Sequence, residues 1–279
     1  MTRPTASPTR LAVLGSPIAH SKSPALHRAA YRVLGFDWEY SAIEMRGEGL
    51  RAFIDGLDGS WRGLSLTMPL KQDVLPLLDD VDETAVLTGA ANTVLFEDGR
   101  RHGFNTDVAG IVRALGEAGV STVDRGVVIG GGATAASSLA AMAELGATHA
   151  QVLVRRPGAA SDLLELGGRL GLRVDEGRIE ELAHVRDAEL VVSTVPGGTD
   201  LGIAASDGVM QGGVLLDVAY DPWPSPLAAS WIAAGGTVVP GLGMLLHQAL
   251  IQVRIFVHGD PLVPLRDEDA VLSVMRETL

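Results

Sequence analysis

The segment "GVVIGGGATAASSLAAMAELGATHAQVLVRR", ending at Arg156, constrains the fold more than any other part of the chain. A short strand-like run meets Gly130, Gly131 and Gly132, then a helix-like run of small residues, then a second strand-like run. Gly130, Gly132 and Ala135 satisfy G-x-G-x-x-[G/A]. Glycines there let the backbone turn tightly and let a pyrophosphate approach the N-terminus of the following helix. In a chain with 34 glycines such a turn can also be purely structural. The strand before it, the helix after it and the second strand favour dinucleotide binding.

The residues after the second strand separate the two nicotinamide cofactors. An acidic residue there accepts hydrogen bonds from the ribose diol of NAD. This chain has Arg155 and Arg156 instead. Paired guanidiniums suit the 2′-phosphate of NADP, although a solvated loop pair is the competing reading. Strand-like runs also fall at "LRV", "LVVSTV", "VLLDVAY" and "TVVP", several of them separated by helix-length segments. The pattern predicts a doubly wound parallel sheet over residues 107–240.

The preceding residues repeat the alternation. "RLAVLG" reads as a buried strand, "SPALHRAAYRVLG" as a helix with Ser23 at its N-cap, Pro24 in its first turn and Gly35 at its stop. "DWEYSAIEM", "GEGLRAFIDGL" and "RGLSLTM" continue as strand, helix and strand, and "ANTVLFEDGRRHGFN" reads as a hairpin turning at Asp98-Gly99. "NTDVAGIVRALGEAGV" reads as a connecting helix, and "MLLHQALIQVRIFVHG" as an apolar helix returning to the first domain. The expectation is α/β throughout: residues 1–106 with 241–279 as a substrate domain with a mainly parallel sheet, and 107–240 as a Rossmann NADP domain.

Composition narrows the function classes. Apolar residues make up 47% of the chain and aromatics only 4%, so the core is aliphatic, as close helix-on-sheet packing requires. A net charge of −12 disfavours nucleic acid as a partner. The absence of cysteine excludes disulfides, thiolate metal sites and cysteine nucleophiles. No apolar run has the roughly 18 residues of a membrane span, and "MTRPTASPTR" lacks the apolar stretch of a signal peptide. A cytoplasmic protein, monomeric or homodimeric, is expected.

A nicotinamide enzyme moves a hydride and also a proton at the substrate oxygen. The seven histidines, at 20, 27, 102, 149, 184, 247 and 258, form no zinc-type pattern. Lys71, just after "LTMP", and Asp107, at the head of the connecting helix, are the candidates for the proton. A carboxylate partner favours charged lysine whereas burial favours the neutral base, and the sequence leaves both influences open. Ser21 and Ser23 either receive a substrate carboxylate at a helix start or merely cap it.

The segments "GSPIAHSKSP", "LTMPLK", "GAANTV", "NTDVAG", "IGGGAT", "DVAYDPWPSPL" and "GLGMLLHQA" occur in an order similar to that of shikimate dehydrogenases, across about residues 11–259. The resemblance implies two domains with the active site in the cleft between them. It implies reversible NADP(H)-dependent interconversion of 3-dehydroshikimate and shikimate. By that resemblance Ser21 and Ser23 hold the substrate carboxylate. Thr67, Asn92, Asp107 and Gln248 bind ring hydroxyls with Tyr220 nearby, and Lys71 paired with Asp107 is the acid/base. Gly130, Gly131, Gly132, Ala133 and Thr134 bind pyrophosphate, and Arg155 and Arg156 the 2′-phosphate. Val218 and Gly241 line the nicotinamide end, and Glu83 takes a minor cofactor-side position.

Two departures stand out: "GGGAT" replaces the more frequent "GAGGA", and Val154-Arg155-Arg156 replaces Asn-Arg-Thr. A relative acting on quinate as well, and a non-catalytic NADP sensor, are the alternatives. An acidic residue after the second strand would mark the former, and loss of Lys71 or Asp107 the latter.

Overall fold

The computed structural model describes residues 9–279. The chain divides into two compact units: residues up to Thr106 together with Gln248–Leu279, and Asp107–His247. The break at 247/248 falls inside a helix rather than at residue 241.

The first unit holds β1 (Thr9–Gly15), α1 (Ser23–Leu34), β2 (Trp38–Glu44), α2 (Gly47–Asp55), β3 (Trp61–Leu66) and α3 (Leu70–Asp73). They are followed by β4 (Asp80–Val81), α4 (Glu83–Thr88), β5 (Thr93–Glu97) and β6 (Arg100–Phe104). Its six-stranded sheet has the order β2-β1-β3-β5-β6-β4. β1 is parallel to β2 and β3, as the βαβαβ reading requires, and β5 runs antiparallel to β3 and β6. Asp98 (φ 51°) and Gly99 (φ 75°) both take the left-handed conformation that a two-residue hairpin demands.

The start of α1 corrects one expectation. Lys22 occupies the N-cap and Ser23 is the first helical residue. The Ser23 N–H instead reaches the hydroxyl oxygen of Ser21 at 3.4 Å. Gly35 ends the helix in the left-handed conformation, as expected.

The second unit contains α5 (Asp107–Glu117), β7 (Arg125–Ile129), α6 (Ala133–Glu144), β8 (His149–Val154), α7 (Ser161–Leu170), β9 (Arg173–Arg178) and β10 (Leu190–Ser193). α8 (Asp207–Gly212), β11 (Val214–Asp217), α9 (Pro226–Ala233), β12 (Thr237–Pro240) and the first turns of α10 (Gly241–His258) complete it. α10 begins at Gly241 and so includes "GLG". The strands pair in the order β12-β11-β10-β7-β8-β9, all parallel. The chain starts in the middle of the sheet, builds outward one way, then returns to build the other. This doubly wound order places a topological switch point between β7 and β10, where such sheets bind ligands.

α6 shows why small residues were needed. Ala135, Ala136, Ser137, Ser138, Leu139, Ala140, Ala141 and Met142 are all buried, so neighbours approach it from more than one side. The remainder of α10 and α11 (Glu268–Arg276) belong to the first unit. Arg254 of α10 donates through Nε to Glu268 Oε2 at 2.6 Å and through a terminal nitrogen to the carbonyl of Pro261 at 3.0 Å, tying the two helices together. Among the described residues no helix is long and apolar enough to cross a membrane.

Candidate active site

In the first unit, loops are joined at the C-terminal ends of β1 and β3. The Ser16 N–H donates to the carbonyl of Met68 at 2.9 Å, and Thr67 N–H to that of Leu14 at 2.9 Å. A Cβ at Gly15 would lie 2.3 Å from Thr67 Cγ2 and 2.9 Å from the Met68 carbonyl oxygen, so only glycine lets these loops come so close. The loop carrying Ser21 is thereby set beside the turn carrying Thr67 and Lys71. Ser21, Thr67 and Lys71 are half-buried and Ser23 is buried.

Lys71 sits on the short α3, just after the cis Met68–Pro69 bond. Its carbonyl accepts from Ala91 N–H at 2.8 Å, and the Asn92 carbonyl accepts from Leu66 N–H at 2.7 Å. These two bonds lock the lysine turn to the segment of Asn92. Asn92 Oδ1 accepts from Thr93 Oγ1 (2.9 Å) and Thr106 N–H (3.0 Å), while its Nδ2 donates to Thr106 Oγ1 (2.9 Å) and faces Gln248 Oε1 (3.4 Å). Asn92, Thr106 and Gln248 are all buried. Asp107, also buried, follows Thr106 directly and opens α5.

Lys71 and Lys22 are the only lysines in the sequence; the other cationic side chains among its 22 are arginines. Arginine stays protonated at any ordinary pH, whereas lysine can exchange its proton. A chain that uses arginine almost everywhere else therefore has lysine at the turn where proton exchange is expected.

A buried polar group lies behind these loops. His27 Nε2 donates to Gln252 Oε1 at 3.1 Å, and Tyr31 hydroxyl donates to His27 Nδ1 at 3.1 Å. Burial holds the His27 imidazole down to about 3, so it is neutral and this tautomer satisfies both nitrogens. Burial also pushes the hydroxyls of Tyr31 and Tyr40 well above the ordinary phenol range. Thr106 and this histidine–glutamine group were not picked out from sequence. Thr106 had a local signal, its place beside Asp107 in "NTD".

The second unit carries the glycine turn at the C-terminal end of β7, at the switch point. Gly130 has φ 115°, a region that disfavours side chains, and its N–H donates to the Leu153 carbonyl at 3.0 Å. A Cβ on Gly131 would lie 3.0 Å from the Ala159 carbonyl oxygen and 3.3 Å from Val154 Cγ1. The loop after β8, with exposed Arg155 and Arg156, thus packs on the glycine turn. A Cβ on Gly132, the N-cap of α6, would meet nothing within 4 Å. The turn therefore has open space at a helix N-terminus, with two guanidiniums on the adjoining loop. These residues fit a dinucleotide pyrophosphate and a 2′-phosphate.

Val218 and Gly241 also come together in this unit. A Cβ on Gly241 would lie 2.2 Å from the Val218 carbonyl oxygen. Just before Val218, Asp217 is buried, accepts from Ala219 N–H at 3.1 Å and from Ser225 Oγ, and has its carboxyl raised by burial. Tyr220 follows, half-buried. Glu83 belongs to the first unit, exposed in the first turn of α4.

The chain is 34% identical over 273 residues to the NADP(+) shikimate dehydrogenase of Methanothermobacter thermautotrophicus, covering 94% of this chain and 95% of that protein. The chain belongs to the shikimate dehydrogenase family. Residues 13–94 match the family's substrate binding domain. The crystal structure of Mycobacterium tuberculosis shikimate dehydrogenase superposes with a TM-score of 0.84 at 39% identity, over 97% of this chain and 100% of that one. That of the Thermus thermophilus shikimate 5-dehydrogenase, in complex with NADP(H) and shikimate, gives 0.79 at 31% identity, over 97% and 99%.

Proposed function

We propose that this member of the shikimate dehydrogenase family catalyses the NADP(H)-dependent interconversion of 3-dehydroshikimate and shikimate. The observation that carries the reading is the joining of the Ser21 loop, the Thr67–Lys71 turn and the Asn92–Gln248 pair in one unit. Such a set offers hydroxyl and amide partners for a polyhydroxylated ring around one lysine.

Bound NADPH supplies the hydride. The chain's own residues then have four tasks. The hydroxyls of Ser21 and Ser23, beside the positive end of α1, receive the substrate carboxylate. Thr67, Asn92, Asp107, Tyr220 and Gln248 orient the ring hydroxyls. Lys71 as ammonium gives a proton to the carbonyl oxygen as that oxygen gains charge, and as amine takes it back from the hydroxyl in oxidation. Asp107 orients the lysine.

On the cofactor side, Gly130 to Thr134 hold the pyrophosphate and Arg155 and Arg156 the 2′-phosphate. Val218 and Gly241 flank the nicotinamide, and Glu83 takes a minor position. The first unit is taken as the catalytic domain and the second as the NADP domain. It also takes the enzyme as cytoplasmic, a monomer or homodimer, with no nucleic-acid partner.

Initial rates with shikimate and quinate, each with NADP and NAD, test this. The expected outcome is strong activity only with shikimate and NADP. Comparable rates with quinate or NAD would make it an enzyme of broader specificity. No turnover in any combination, with NADP still bound, would point to a sensor.

A further inference from the structure

We infer that Gln252 is a positioning residue for the substrate: it pins α10 to Asn92, and so sets the helix rotation at which Gln248 meets the Asn92 side chain. The inference rests on the proposed substrate roles of Asn92 and Gln248.

Gln252 lies one helical turn beyond Gln248, so both project from the same side of α10. Its Nε2 donates to the Asn92 carbonyl at 3.2 Å. That carbonyl already accepts from Leu66 N–H, so both of its lone pairs are used and the Asn92 peptide plane is fixed. Its Oε1 accepts from Ser65 Oγ at 2.7 Å and from His27 Nε2. Ser65 in turn accepts from Tyr40 hydroxyl at 2.6 Å.

Gln252 is 2% exposed, and His27, Ser65, Tyr40 and Asn92 are equally enclosed. With the amide turned over, its oxygen would face the Asn92 carbonyl, two acceptors with no proton between them. The arrangement thus admits one amide orientation and one histidine tautomer. A buried glutamine whose oxygen and nitrogen both have partners contributes little net stability over an apolar side chain, but it specifies geometry. Here the geometry specified is that of two substrate-facing amides, Asn92 and Gln248, contributed by different elements.

The test compares Gln252→Met, Gln252→Leu and Tyr31→Phe with the wild type in full-length enzyme. Thermal midpoint, kcat, and the KM values for shikimate and NADP are the readouts. The methionine has the right length and no polar partners. The leucine likewise offers Ser65, His27 and Asn92 no polar partner, with a shorter, branched side chain. Tyr31→Phe disturbs the far end of the network and leaves the Gln252–Asn92 bond in place.

Both Gln252 variants should raise the shikimate KM about three- to tenfold, the scale of one lost hydrogen bond, with the NADP KM unchanged. Tyr31→Phe should lower the thermal midpoint and leave both KM values alone. A wild-type shikimate KM in the Gln252 variants, or an equal rise in Tyr31→Phe, would overturn the inference. Should Gln252→Met not fold, Gln252→Leu decides alone. An inactive wild type contradicts the functional reading; an active one whose Gln252 variants keep its shikimate KM contradicts this inference only.

Discussion

Gly130 faces Thr194 so closely that a Cβ on the glycine would lie 2.3 Å from the threonine Oγ1. That hydroxyl is itself committed, donating to the Ile129 carbonyl at 2.9 Å. The ends of β7 and β10 therefore meet at the switch point with no room for a side chain. Gly130→Ala should destabilise the fold by about 1–3 kcal/mol, from steric conflict plus the positive φ. Gly132→Ala, with open space around it, should keep the wild-type thermal midpoint and lose NADP affinity. Thermal melts with and without NADP separate the two outcomes, and equal melting behaviour of both variants would contradict the assignment.

Arg155→Ala should raise the KM for NADP on the order of 10-fold or more, the scale of a lost charge-assisted hydrogen bond. The KM for shikimate should hardly move. Arg156→Ala should show the same sign. Initial rates at varied NADP and varied shikimate measure both, and a parallel rise in the two constants would remove the arginines from the 2′-phosphate.

His27 gives the fold a pH dependence. Its folded value near 3 lies below the unfolded reference of about 6.5. A group lowered on folding stabilises the protein above its unfolded value, and that contribution is lost as pH falls toward the folded one. Between pH 6.5 and pH 5 the loss from His27 alone is about 2 kcal/mol. Urea unfolding of the wild type and His27→Gln at pH 7 and pH 5 should show the smaller decline in the variant. Equal declines would mean that His27 is not buried neutral.

Ser21→Ala should weaken shikimate more than its methyl ester, because the hydroxyl is assigned to the carboxylate. Inhibition constants for the acid and the ester as competitors provide the comparison. An equal loss for both would place the hydroxyl elsewhere on the ring.

Much of the fold is legible in the sequence because local rules and tertiary packing agree. The alanine-rich run of α6 and the Asp98-Gly99 hairpin each state their conformation within a few residues. α3 and β4 are too short for any periodicity to show. Gly167 and Gly168 give α7 the look of a loop, yet Gly167 is required, since its Cβ would lie 2.4 Å from Val174 Cγ2. At the site, segments such as "LTMPLK" and "IGGGAT" carry their chemistry in contiguous residues and can be read directly. The Gln252–Asn92 bond joins residues 160 apart in the chain. No local pattern distinguishes a buried, paired glutamine from a solvated one, so only the folded arrangement reveals it.

Lys71 is proposed to exchange the proton of the substrate hydroxyl. Mixing Lys71→Arg and wild type with shikimate and NADP, and following NADPH formation in a single turnover, tests it most directly. The variant keeps the charge but not the exchangeable proton, so both ligands should bind with near wild-type affinity while NADPH forms about 10²–10⁴-fold more slowly. NADPH formation at the wild-type rate would remove Lys71 from the mechanism.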